Sequence, residues 1–154
     1  MIDVNFCKAY ASRLKEAIAG INYNNVVTEP SQVVDLLRNR KKEDNFMLFM
    51  AIPDFYTVGD NVDNSKEQVA CSIMVLAKTN YSAQNHDEYL QLMQDTLVAA
   101  RAVKYKMIGD KLDYTAAGCQ YMKQLNVGSI NITPELHFAE CNGWNIDFTF
   151  DNAQ

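Results

Sequence analysis

Apolar residues recur at two different periods along this chain, and the periods divide it into helices and strands. Val4, Cys7, Ala11, Leu14 and Ile18 lie three or four residues apart. That spacing predicts a helix over residues 4–19 with one buried face. Phe6 and Tyr10 widen the stripe, Lys8, Arg13, Lys15 and Glu16 fall largely off it, and Gly20 is expected to stop the helix. Val26 and Val27 suggest a short strand. A second, short helix is expected at about 31–41: Thr28 or Ser31 can cap it, Pro30 suits a first turn, and Val33, Val34, Leu36 and Leu37 supply its apolar side. Residues 46–52 are continuously apolar, which predicts a strand buried on both faces. Residues 68–79 read as another strand, with Ala70, Ser72, Met74 and Leu76 on one face and Cys71, Ile73, Val75 and Ala77 on the other.

Between those two strands the pattern is polar and acidic. A long hairpin loop with a mobile tip is expected over residues 54–67, carrying Gly59, Asp60, Asn61, Asp63 and Asn64. Asn85-His-Asp-Glu88 is a capping-box start for the second main helix, over about 86–108, which Gly109-Asp110 should end. Tyr89, Met93, Thr96, Leu97, Ala100, Val103 and Met107 form its stripe, with Leu90 and Leu92 beside it. Residues 111–124 show no clear period, and Ala116-Ala-Gly-Cys119 reads as a turn or a short helix. Strand character returns from residue 125, where Pro134 implies an edge or a bulge. Cys141-Asn-Gly143 is expected to make a hairpin turn. Trp144, Ile146, Phe148 and Phe150 then alternate with Asn145, Asp147 and Thr149, the cleanest strand signal in the chain. The expectation is an α+β domain: a mostly antiparallel sheet of about four strands, with two main helices and one short helix packed on one face.

Composition narrows the function. The chain has 154 residues, so one domain is expected. Hydrophobic residues make up 48% of it, enough for an ordinary core. The net charge is −5, which argues against a nucleic-acid surface, because phosphate binding needs clustered cations. The one basic run, Arg38, Arg40, Lys41 and Lys42, is followed at once by Glu43 and Asp44 and fits a helix C-terminus. No apolar run reaches the ~18 residues of a membrane helix. The start does not read as a signal peptide, and reduced thiols in a cytoplasm are the default expectation.

The reactive residue types do not form familiar motifs. Cys7, Cys71, Cys119 and Cys141 contain no CxxC pair. His86 and His137, the only histidines, lack the local partners a zinc site uses. Cys7 and Cys71 fall on apolar faces and Cys141 beside Glu140, settings that disfavour a thiolate. Asp60, Asn61, Asp63, Asn64 and Glu67 resemble a calcium loop in composition but not in spacing. No phosphate loop, nucleophile elbow or HExxH motif occurs. No catalytic residue, cofactor or metal is expected.

Three stretches carry a resemblance: Val33-Val-Asp-Leu-Leu followed by the buried strand at 46–52, the hairpin with Asp60, Asn61, Asp63 and Asn64, and the ending Cys141-Asn-Gly-Trp-Asn-Ile-Asp-Phe-Thr-Phe150. In outline the chain resembles small neck and tail-completion proteins of tailed bacteriophages, of the type found in phages and prophages of Bacteroides-like bacteria. The resemblance implies a non-enzymatic virion protein: a subunit of a head-tail connector or tail-terminator ring. Its partners would be copies of itself and neighbouring neck, portal or tail proteins. DNA would only pass through the lumen, and no membrane is involved. On that reading Phe55, Tyr56, Asp60, Asn61, Asp63 and Asn64 are the candidate interaction residues. The alternative is a ligand-binding or regulatory module of a bacterial cytoplasm, with a pocket lined by aromatics such as Tyr89, Phe138 and Trp144.

Overall fold

A computed structural model describes residues 2–28, 30–80, 82–115 and 119–151, except the side chains of Pro30 and Lys42. The fold is α+β. Helix α1 spans Val4–Ala17, α2 Pro30–Arg38 and α3 His86–Leu112; strands are β1 Tyr23–Val27, β2 Met47–Ala51, β3 Asp54–Val58, β4 Lys66–Lys78, β5 Leu125–Phe138 and β6 Cys141–Asp151. They form one mixed sheet of order β1-β2-β4-β6-β5, with β3 paired to the outer end of β4. β1 and β2 run parallel, and the other pairings are antiparallel. The sheet therefore has six strands where about four were expected. β3 lies inside the stretch expected to be loop, and β1 is the short strand suggested by Val26 and Val27, extended back to Tyr23 and joined to β2 by a crossover through α2.

Strand parity decides the layers. Val69, Cys71, Ile73 and Val75 of β4 stand opposite Phe150, Phe148, Ile146 and Trp144 of β6 and share one face. That face carries the larger core, against Phe6, Cys7, Tyr10, Ala11 and Leu14 of α1 and Ala99, Ala100, Val103 and Met107 of α3. Burying each large side chain there stabilises the fold by about 1.5–3 kcal/mol. Leu48 and Met50 point into this core, while Met47 and Phe49 point the other way, so β2 is buried on both faces as its unbroken apolar run predicts. On the second face α2 covers Met47, Phe49 and Leu76 with Val33 and Leu37. The expectation that all helices share one face fails here, because an apolar strand interior needs cover on both sides.

Several boundaries move for identifiable reasons. α1 ends at Ala17, and Val4 is exposed on its first turn. Asp3 caps α1 by accepting the Phe6 amide at 2.8 Å. α2 stops at Arg38 rather than near residue 41. α3 runs through Gly109 to Leu112 instead of ending at 108. An exposed helical glycine costs only about 1 kcal/mol, and Asp110 just beyond it is held by α1. A 3-10 turn at Gln120–Gln124 fills part of the ambiguous region and buries Met122, while residues 116–118 lie outside the described residues.

The β5–β6 hairpin does not turn at Cys141-Asn-Gly143. Its turn is Ala139-Glu140, both at positive φ, and Cys141 already begins β6. Two contacts impose this shift. Gly143 lies so close to β4 that a Cβ would sit 2.0 Å from the Val75 carbonyl oxygen, so glycine is needed inside the ladder. Asn142 is fully buried, and its Oδ1 accepts the His137 amide at 2.8 Å and the Tyr89 hydroxyl at 3.2 Å. Its Nδ2 donates to Thr79 Oγ1 at 3.0 Å. That one side chain ties the turn to β4 and to α3.

Candidate interaction surface

The residues singled out in the sequence gather on the β3–β4 hairpin. β2 and β3 run in the same direction along β4, β2 opposite Ile73–Leu76 and β3 opposite Lys66–Ala70, with the break at Ile52-Pro53. β1 ends at Val27, whose carbonyl takes the Ile52 amide at 3.0 Å. Beyond that point β3 has no strand on its outer edge among the described residues. All five of its residues are exposed, including Phe55 at 51% and Tyr56 at 46%. An uncovered edge with apolar side chains is what proteins normally avoid unless something pairs with it.

The connection between the strands is shorter than the expected loop and is structured. Only residues 59–65 lie outside the strands. Asn61 Oδ1 accepts the amides of Asp63 and Asn64 at 3.1 and 3.2 Å, and Asn64 Oδ1 accepts the Asn61 amide at 3.0 Å. This reciprocal cap fixes a 3-10 turn at Val62–Asn64. Gly59, at φ +130°, admits the close return of the chain, since a Cβ there would meet the Asn64 carbonyl oxygen at 2.6 Å. The six candidate residues thus separate by role. Asn61 and Asn64 shape the tip, while Phe55, Tyr56, Asp60 and Asp63 face outward. Val62 at the apex is 90% exposed.

A second apolar surface has no counterpart among the sequence expectations. Leu90, Val98, Tyr105 and Leu112 line the outer side of α3 and are all exposed. Leu90 was expected to widen the buried stripe, and it belongs to this outer stripe instead. A helix with apolar residues on opposite sides is normally covered on both.

The chemistry-bearing residues are mostly absorbed by packing. Asp110, 1% exposed, accepts the Tyr10 hydroxyl at 2.9 Å and Arg13 at 3.1 Å, and pairs with Lys106. Burial alone would raise its pKa, but the bonds from Lys106, Arg13 and Tyr10 outweigh burial and hold it below the usual carboxylate value. Burial beside this carboxylate drives the Tyr10 hydroxyl far up. The cluster sits next to an open cleft of about 650 Å³ bordered by Phe6, Arg13, Cys119 and Tyr121.

Burial pushes the Cys7 and Cys141 thiols up to about 11, with Asp3 adding at Cys7. At Cys141 the nearby Lys78 opposes that rise and Glu140 adds to it. Cys71 is pushed up further, again by burial. Cys141 is thus a buried strand residue, not a loop cysteine. The two histidines, far apart in sequence, border one shallow cleft of about 220 Å³ with Tyr89, and His137 is exposed. Phe138 packs in the smaller core under α2, and Trp144 donates to the Met93 carbonyl at 3.0 Å; neither borders that cleft. Among the described residues no group of three His, Cys, Asp or Glu side chains could hold a metal, and no helix is long and apolar enough to cross a membrane.

Neither a family model, a curated protein nor a solved structure matches the chain.

Proposed function

We propose that this chain is a non-enzymatic structural subunit that works by docking onto copies of itself and onto neighbouring proteins. The observation that carries the proposal is β3, an edge strand exposed along its whole length with Phe55 and Tyr56 presented to solvent. Strand edges and aromatic anchors are the usual material of protein docking. The outer stripe of α3 supplies a second apolar surface on another side of the molecule. Two unlike surfaces suit head-to-tail contacts, which close into rings when the rotation allows.

The specific setting proposed is the one the sequence resemblance implies: a ring at the head-tail junction or the tail end of a tailed bacteriophage particle. Other neck, portal or tail proteins would be its neighbours there. The net charge of −5 is compatible with a lumen through which DNA passes without adhering.

The test is the assembly state of the purified chain, alone and mixed with the products of the genes flanking its own. Sedimentation velocity and negative-stain electron microscopy should show a closed ring or a defined complex. A monomer under every one of those conditions would refute the proposal. A ligand-binding or regulatory module is the second reading, favoured by the cleft of about 650 Å³ beside α1. A thermal-shift screen with metabolites separates the two, since only that reading expects a saturable rise in Tm.

A further inference from the structure

The geometry points to a head-to-tail contact in which the acidic β3–β4 hairpin of one copy seats in a basic cleft at the far end of the sheet of the next copy. This inference rests on the self-association proposed above and names the surfaces that meet.

The cleft, of about 490 Å³, is lined by Arg40, Lys41 and Lys78 with Thr79, Ser82 and Glu140 among its other walls. Three elements converge to build it: the exit of α2, the end of β4 and the β5–β6 turn. Two of its three cations are held in place. The Arg40 guanidinium lies 4.2 Å over the Tyr23 ring and its Nε donates to the Leu36 carbonyl at 3.4 Å. Lys78 Nζ donates to the Leu37 carbonyl at 3.3 Å. Both bonds cap the negative end of α2, yet among the described residues none of the three cations forms an ion pair.

The acids that follow the basic run do not cancel it. The Asp44 carboxylate is turned onto the Lys41 amide at 2.9 Å, and neither it nor Glu43 lines the cleft. Three cations therefore face one carboxylate, Glu140. In a chain of net charge −5, such a local excess has to be explained by position.

The hairpin carries the opposite excess. Asp54, Asp60, Asp63 and Glu67 stand against Lys66 alone, and all are exposed. Among the described residues the carboxylates of Asp60 and Asp63 make no ion pair, and they flank the exposed Val62 on a turn already fixed by Asn61 and Asn64. The two sites cannot meet within one molecule. They lie at opposite ends of β4, whose span from Lys66 to Lys78 is about 40 Å at a rise of about 3.3 Å per residue. Opposite charges at opposite ends of one rigid strand complement each other only between copies, and in a single direction. That is the geometry of a heterologous contact.

The test uses the full chain and four variants. Wild type should assemble, and added salt should weaken the assembly. Asp60→Lys with Asp63→Lys, and separately Arg40→Glu with Lys41→Glu, should each raise the concentration for half-assembly by roughly tenfold or more. Each double variant places like charges across the contact. Mixing the two double variants should restore assembly, and so should the quadruple variant. The fourth variant, Lys41→Glu alone, changes an exposed residue and covers the case in which loss of the Arg40–Tyr23 contact unfolds the chain. If wild type assembles and the exposed hairpin and Lys41 variants assemble equally well, this contact is wrong while the self-association reading survives. If wild type never assembles, both fall.

Discussion

Removing the Asp110 carboxylate should destabilise the fold by about 2–4 kcal/mol, and the figure follows from which partners it abandons. In Asp110→Ala the Tyr10 hydroxyl, on a side chain only 2% exposed, loses its acceptor. Leaving a buried hydroxyl unpaired costs about 1–3 kcal/mol. Arg13 and Lys106 are about one-third exposed, so they regain water, and each pair contributes only ~0.5 kcal/mol after screening. For a chain of this length, each kcal/mol lowers Tm by about 2–4 °C. Thermal unfolding followed by circular dichroism should therefore show a drop of roughly 4–16 °C. Asp110→Asn, which keeps an acceptor for Tyr10, should lose less. Tyr10→Phe in the Asp110→Ala background should recover about 1 kcal/mol by removing the orphaned hydroxyl. Because the folded pKa of Asp110 lies below its unfolded value, its contribution is complete above about pH 4 and fades as pH falls through the depressed folded value. The cost of Asp110→Ala should shrink over that same acid range. A Tm change under about 3 °C at neutral pH, which corresponds to about 1 kcal/mol, would show that the cluster does not join α1 to α3 in the way described.

Three further outcomes are expected. Gly143→Ala should cost about 3 kcal/mol, because its Cβ would overlap the Val75 carbonyl, whereas Gly109→Ala, with open space around it, should gain about 0.5–1 kcal/mol; urea midpoints of both variants check this. Native protein at neutral pH should leave Cys7, Cys71 and Cys141 unmodified by a thiol reagent, with Cys119 the position open to labelling, and rapid modification of all four before unfolding would contradict the burial. Phe55→Asp with Tyr56→Asp should weaken self-association in sedimentation experiments while moving Tm by no more than the few degrees of a surface change, since both side chains are half exposed in the single chain.

The elements that the sequence alone determined are those whose signal is local. The α1 stripe from Cys7 to Leu14, the Asn85–Glu88 capping box of α3, the two-sided burial of β2 and the alternation from Trp144 to Phe150 depend on periods or caps that act within a few residues. Which side of the sheet each helix covers, and where each element stops, depends on contacts between residues far apart in sequence. Tyr10 and Arg13 reach across to Asp110 and carry α3 past a glycine, and Val75 leaves no room beside Gly143 and moves the hairpin turn to Ala139-Glu140. Asp54–Val58 reads as loop by composition and becomes a strand only because β4 extends far enough to pair with it. The hairpin residues could be picked out as polar and acidic from their composition. The separation of Asn61 and Asn64 from the outward-facing Phe55, Tyr56, Asp60 and Asp63, and the gathering of Arg40, Lys41 and Lys78 into one cleft, came only with the tertiary structure, because side-chain direction and convergence are properties of the packed chain.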